Sequence, residues 1–414
     1  MRRRRDATTG RRRALRTGPL VSLLLVVVAL TGCQLRTRLG VPTTVAAVNG
    51  TCDTSAVVVV GASLPLTGPL AAIGRAELTG LELGVGQVND SGGVLSQHRC
   101  LELMYKDDRS DPAVDNQALL DLVNQERVSL VVGPFLAVGD RSDRARLGSL
   151  GVTATSFSSV DDTFEPRSYP YTFPVGSSVS AQSAVLATYA KRHHWERVTV
   201  VSSGSVASRQ GIGDFMAATR GTGIDVISPS RLVDSPASAS SLLTAVRSTH
   251  SEALVVFDDG STLASLLTAR RAAGSSIPII ASTEAVLPQL PRSELAGVDV
   301  VVPSTLAVTR SIPSDLASFR AKVLGALHES QLRGALTPYA QAYDSVTMFA
   351  GAVDGENADD PGSLRTYLEN ANYQGILGSY NFTSVAHSGI DASQETLLPL
   401  DSLSNGVFVR SVSH

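Results

Sequence analysis

The sequence predicts an α/β protein of two doubly wound parallel-sheet lobes joined by a hinge. Three observations predict it. From residue 56 onward, strand-like and helix-like segments alternate. The strand-like segments are near-continuous apolar runs, as in Val57-Val58-Val59-Val60, which suits parallel strands covered on both faces. About 380 residues lie beyond the N-terminal segment, more than one hydrophobic core usually holds.

The elements follow in order. A strand over 56–64 ends in Pro and Gly. A helix over 72–89 carries Leu78, Leu81, Val85 and Val88 at helical spacing and stops at Ser91-Gly92-Gly93. Strand 101–106, helix 112–125, strand 129–133, helix 139–150 and strand 152–156 continue the series. Asp111-Pro112 is a capping residue followed by Pro at the first helical position. A second series begins after Tyr169-Pro170, with helices over 180–194, 211–222, 238–250 and 263–273. Its strands are expected at 198–202, 224–228, 253–257, 277–282 and 298–303. Helices over 313–330, 338–353 and 362–372 precede a strand-rich tail from Gly378. The expected first lobe is 54–173 plus 305–378, and the second is 174–304 plus 379–414. Strand C-termini of both lobes then face a shared crevice, where open α/β sheets bind ligands.

The N-terminal segment reads as an export signal. Arg2 to Arg5 and Arg11 to Arg13 form a basic stretch, followed by an apolar run of 11 residues over 20–30, too short to anchor in a bilayer as a spanning helix. Leu30-Thr31-Gly32-Cys33 resembles the bacterial lipobox. The resemblance implies a lipoprotein signal peptide over 1–32, acylation (palmitate among the acyl groups) of Cys33 and a lipidated tether over 33–53. An ordinary signal peptide or an uncleaved anchor are the alternatives, and Arg12-Arg13 leaves the Sec and Tat routes both open. Without residues 1–32 the chain holds 27 basic and 37 acidic residues, a net of −10. So acidic a surface argues against nucleic-acid binding and against electrostatic attachment to anionic lipid.

Cys52 and Cys100 remain in an oxidising compartment. Their even count suggests a disulfide closing a loop of about 48 residues, adding roughly 3–4 kcal/mol on the chain-entropy model. Two free, buried thiols are the other reading.

Four motifs in order carry a family resemblance. They are Ser63-Leu64-Pro65-Leu66-Thr67-Gly68-Pro69, Asn89-Asp90-Ser91-Gly92-Gly93-Val94, Asp107-Asp108-Arg109-Ser110-Asp111-Pro112 and Val131-Val132-Gly133-Pro134. Over about residues 56–378 the chain resembles the type I periplasmic solute-binding proteins, in the leucine/isoleucine/valine-binding branch. That resemblance implies a periplasmic binding protein-like I fold. It also implies a site where loops of the first lobe hold the ligand's carboxylate and a carboxylate of the second lobe meets its ammonium.

Carried over by position, the first-lobe loop includes Phe135, and Leu136 and Ala137 stand where the family usually has Ser. The next loop includes Ser158, Ser159 and Val160, with Val160 standing where the family has a ligand-binding Thr. Ser158 and Ser159 are the candidate replacement donors. Ile73 replaces a frequent aromatic. In the second lobe Arg209-Gln210-Gly211 replaces Tyr-Gly, Asp258 and Asp259 follow the strand ending at Phe257, and Glu284 falls on the ammonium-binding carboxylate. Arg209 is a candidate partner for a carboxylate of the opposite lobe. The cation side is kept and the carboxylate side altered, so the ligand class stays open among amino acids, amides, amines and polyols.

No HExxH, G-x-S-x-G, P-loop or CxxC pattern occurs, and His193-His194 lacks spaced partners for a metal. The expectation is therefore no enzyme, no cofactor and no metal. The expected function is that of a lipid-anchored, extracytoplasmic, monomeric solute-binding protein that delivers a small polar solute to an ABC transporter permease. A ligand-sensing receptor module on the same fold is the alternative.

Overall fold

The computed structural model describes residues 41–133, 151–160, 165–228, 232–257, 261–285, 290, 294–309 and 311–410. The expected signal peptide, Cys33 and the helix expected over 139–150 lie outside the described residues.

The first sheet holds six strands: β1 (Thr44–Val45), β2 (Asp53–Leu64), β3 (Arg99–Asp107), β4 (Leu130–Val132), β5 (Thr153–Ser156) and β6 (Thr172–Pro174). Their order is β1-β3-β2-β4-β5-β6, all parallel except the antiparallel edge strand β1. β1 lies within the segment expected as a tether. Lys106 explains its attachment: its buried ammonium donates to the Val41 carbonyl and the Thr43 hydroxyl, each at 2.6 Å.

Helix α1 (Ala71–Asp90) packs on this sheet, as does α2 (Pro112–Asn124), which Asp111 caps by accepting from the Ala113 N–H. Cys52 and Cys100 are disulfide-bonded, joining the approach to β2 with β3; their Cα atoms are 5.1 Å apart, within the span such a bond needs.

The second sheet takes β7 (Arg197–Ser202), β8 (Asp225–Ile227), β9 (Ala253–Phe257), β10 (Ile279–Ala281) and β11 (Val298–Pro303). Helices α3 (Val179–Arg192), α4 (Val206–Ala218), α5 (Pro236–Thr249) and α6 (Ser261–Ala272) accompany it. Beyond come β12 (Ala307–Val308), α7 (Ser314–Leu327), α8 (Thr337–Glu356), α9 (Pro361–Leu368), β13 (Asn372–Gln374), β14 (Ser379–Asn381), β15 (Glu395–Pro399), β16 (Leu403–Ser404) and β17 (Val407–Val409). The second sheet runs β15-β11-β10-β9-β7-β8, with only β15 antiparallel.

The separate sheets account for separate cores. The first unites Val58, Val60 and Leu64 of β2 with Leu81, Val346, Phe349, Tyr380 and Phe382. The second sheet is packed on one side by Leu243, Leu263 and Leu267 and on the other by Leu186 and Phe215. Tyr380, Phe382 and Ile390 belong to the first core, so the chain after Gly378 serves that lobe before β15 joins the second sheet. The sequence pattern placed 379–414 wholly in the second lobe; the aromatic residues of 380–382 pull its start to the first.

The chain passes between the sheets at three places: after β6, between β11 and β12, and before β15. Two of these passages touch. Ser177 bridges to Ile390, and the Ile390 N–H donates to the Gly176 carbonyl at 2.7 Å. Gln341 of α8 fastens the same point by donating to the Val175 carbonyl at 2.9 Å. Among the described residues no helix is long and apolar enough to cross a membrane.

Candidate functional site

A cavity of about 650 Å³, including the part open to solvent, lies where the two sheets converge. Ile73 of α1 and Phe157, which follows β5, line it from the first lobe. Thr283, Glu284, Val301 and Val302 line it from the second, with Ala335, Thr337, Pro338 and Gln341 around the start of α8, and Phe408 of β17. The lining is mostly apolar. Among the described residues of the lining Glu284 is the one that carries charge, and the polar remainder is Thr283, Thr337 and Gln341. Apolar walls with few convergent polar groups are what a small-molecule site needs.

Glu284 is placed by strand and turn together. β10 sits between β9 and β11, and a short 3-10 turn, Thr283–Ala285, follows its C-terminal end. The Thr283 hydroxyl donates to the Val301 carbonyl at 2.8 Å, tying that turn to β11. From the other side comes Gln182 of α3, fully buried. Its side-chain carbonyl accepts from the Thr283 N–H at 2.9 Å, and its amide nitrogen donates to Glu284 Oε1 at 3.0 Å. Helix α3 delivers Gln182 there because Ser178 caps it, accepting from the Ala181 N–H at 3.1 Å.

A second carboxyl stands behind this group. Glu395 opens β15 opposite Pro303 of β11 and is 8% exposed. Burial pushes its carboxyl up to about 8; the nearby acids Glu284 and Asp391 add to the rise, and the Ser177 hydroxyl opposes it. Glu395 therefore carries a proton at neutral pH, whereas a Glu in water does not.

The residues expected at the site divide into four groups. Glu284 and Ile73 line the cavity. Ser158, Ser159 and Val160 are buried beside it without lining it; the Ser158 hydroxyl is engaged locally, accepting from the Val160 N–H at 3.3 Å. Arg209 is exposed on α4, and its guanidinium donates to the Gly204 carbonyl of its own lobe. Among the described residues no ion pair joins it to the opposite lobe. Ser205 explains the difference: it caps α4 by accepting from the Ser208 N–H at 3.1 Å, so the helix begins at Val206 and takes Arg209 into its first turn. Phe135, Ala137, Asp258 and Asp259 lie outside the described residues. Among the described residues no group of three or more His, Cys, Asp or Glu is placed to hold a metal ion.

Sequence reasoning missed Gln182, Gln341, Thr337 and Phe408. Only Gln182 left a signal. It falls on the buried face that carries Val179, Leu186 and Ala190 of α3, and a buried polar residue needs a partner.

Two doubly wound sheets, three connecting passages and a cavity between them define a hinged solute-binding architecture. The chain belongs to the periplasmic binding protein family, whose model matches residues 57–394. Among solved structures, an extracellular ligand-binding receptor from Rhodopseudomonas palustris HaA2 superposes with a TM-score of 0.73 at 15% identity, over 86% of this chain and 100% of that one. The branched-chain amino acid transporter substrate-binding protein of Streptococcus pneumoniae, in complex with isoleucine, gives 0.67 at 20% identity, over 83% and 99%. An ABC transporter solute-binding protein of R. palustris, in complex with 4-hydroxybenzoate, gives 0.69 at 14% identity, over 80% and 90%. No curated protein sequence matches.

Proposed function

We propose that this chain is the lipid-anchored, solute-binding component of an ABC importer. It takes an amino acid or related small polar solute into the cavity between its lobes and closes on it. The observation that carries this reading is the cavity itself: apolar walls drawn from both lobes, with the Glu284 carboxylate among its described lining residues, in a member of the periplasmic binding protein family. Closure about three passages buries the ligand, and the closed form is the one a permease distinguishes from the open form. Lipid on Cys33 keeps the protein close to that permease and raises its effective concentration there.

Thermal shift and calorimetry on the full chain in detergent test the binding step against amino acids, amides, amines, polyols and aromatic acids. A ligand raising the melting temperature in a concentration-dependent way supports the reading; no response across all five classes refutes it. Radiolabelled palmitate incorporation tests the anchor: label in the wild type and none in Cys33→Ala is the expected pair.

A further inference from the structure

Residues 41–53 follow a fixed course along the edge of the first lobe. β1 pairs antiparallel with β3, Thr44 opposite Tyr105 and Val45 opposite Met104, and the Ala46 N–H donates to the Leu103 carbonyl at 2.9 Å. The chain therefore runs from the C-terminal end of β3 toward its start. At that far end the Thr51 N–H donates to the Asn89 carbonyl at 3.1 Å, close to the end of α1, and Cys52 is bonded to Cys100. Only then does the chain turn into β2. Its upper attachment is buried. Lys106, one residue before the end of β3 and 3% exposed, donates to the Val41 carbonyl and the Thr43 hydroxyl, and that hydroxyl donates to Glu126 Oε1 at 2.7 Å. A buried ammonium is costly without such acceptors, so pulling Val41 and Thr43 away is opposed.

The attached end is the crevice end. Phe157 and Glu284 of the cavity follow the C-terminal ends of β5 and β10, and the start of α8 forms part of the wall. From there α8 runs 20 residues, about 30 Å, to Glu356. It ends at the far side of the lobe, where Asp354 accepts from the Leu95 N–H at 2.8 Å and Asn357 from the Ser96 N–H at 2.7 Å, in the turn that enters β3.

The length of chain before Val41 limits which end can face the bilayer. Val41 stands eight residues after Cys33, a reach of at most about 29 Å when fully extended. β3 alone, with nine residues, is about 30 Å long. With residues 41–53 detached, the chain from Cys33 to Asp53 would reach roughly 70 Å, enough for either end of the lobe to turn to the membrane.

We propose that residues 41–53 are an orienting strap. They carry the lipid attachment to the crevice end of the first lobe, so the far end cannot be turned to the bilayer. The crevice is thereby presented to the surface in which a membrane-embedded protein partner is met. This rests on the lipid-anchor reading above and adds an orientation to it.

The test uses the acylated full chain on phosphatidylcholine vesicles that contain an acceptor-labelled lipid. A donor dye is placed on Arg109→Cys, in the turn after β3 at the crevice end, or on Glu356→Cys at the far end; both positions are exposed. Energy transfer to the bilayer from Arg109→Cys is expected to be at least twice that from Glu356→Cys. About fifteen Gly and Ser residues inserted between Gly40 and Val41 add roughly 50 Å of reach and should abolish the difference. Lys106→Met unfastens Val41 and should reduce it. Equal transfer from the two sites, stronger transfer from Glu356→Cys, or a bias that survives the insertion overturns the proposal. The insertion leaves residues 41–414 unaltered, so the comparison holds even where Lys106→Met fails to fold. Vesicle flotation of the wild type and Cys33→Ala separates the two readings. Wild type that floats without a bias loses the strap alone; wild type that does not float, or Cys33→Ala that floats equally, overturns the anchor and the strap together.

Discussion

Glu395 shows how one side chain records its surroundings. Where the chain enters β15, folding removes this carboxyl from water and sets it near Glu284 and Asp391. The folded protein then keeps a proton that the unfolded chain gives up above about 4.5. Its contribution to stability is full below that value and is lost as pH rises through about 8. Glu395→Gln keeps the shape and removes the titration. Between the two values the stability difference between wild type and Glu395→Gln is expected to shift against the wild type by about 1.4 kcal/mol per pH unit. Urea unfolding midpoints of both proteins from acid to mildly alkaline pH measure it; a constant difference shows that Glu395 is already ionised. Asp344 belongs to the same class. Burial pushes it up to about 7, and it accepts from the Ile376 and Leu377 N–H groups and the Tyr380 hydroxyl. Asp344→Ala leaves those three donors unmet, two of them buried, and is expected to destabilise by at least about 2 kcal/mol, read as a lowered unfolding midpoint.

The pairing of α1 with α8 turns on close backbone approach. A Cβ placed on Gly80 would stand 2.2 Å from the Tyr339 carbonyl oxygen, and one on Gly84 would stand 3.0 Å from Val346 Cβ. Gly80→Val therefore forces the helices apart, with an expected loss of about 1–3 kcal/mol. The same shift moves the start of α8, which carries Thr337, Pro338 and Gln341 on the cavity wall. Ligand affinity should fall along with the melting temperature in this variant; an unchanged affinity would show that the wall is held by other elements. The disulfide acts on another element pair. Replacing Cys52 and Cys100 by Ala frees the approach to β2 from β3, with an expected loss of roughly 3–4 kcal/mol in chemical denaturation. The disulfide sits at the N-terminal ends of the parallel strands β2 and β3, whereas Phe157 of the cavity follows the C-terminal end of β5, so ligand affinity in the folded double variant should stay at the wild-type level.

At the scale of the molecule, ligand binding should both stabilise and compact the chain. Ligand at a hundred times its dissociation constant raises stability by about 2.7 kcal/mol if the unfolded chain does not bind it. Small-angle scattering should show a smaller radius of gyration with ligand than without; identical curves would place capture in a rigid cavity and remove hinge closure from the mechanism. Most of this architecture was legible in the linear pattern. Apolar runs such as Val57 to Val60 and Ala253 to Phe257, each followed by helical spacing, marked parallel strands because both faces of such strands are covered. β6, Thr172–Pro174, escaped notice because Thr-Phe-Pro directly after Tyr169-Pro170 is no apolar run, unlike the equally short Leu130–Val132 of β4. Glu284 was readable because its position depends on a local fact, the C-terminal end of a strand. The helix that carries Arg209 begins at Val206 and not at the expected Gly211, because Ser205 caps it. Gln182 and Gln341 act on Glu284 and Val175, and those pairings exist only once distant segments meet. By itself the sequence determined the order of elements, the two-lobed class and the acid at the end of β10, since periodicity and turn chemistry are local. Only the tertiary structure decided which amide holds that acid, which carboxyl keeps a proton and which walls line the cavity, since burial and contact across more than a hundred residues are properties of the packed chain.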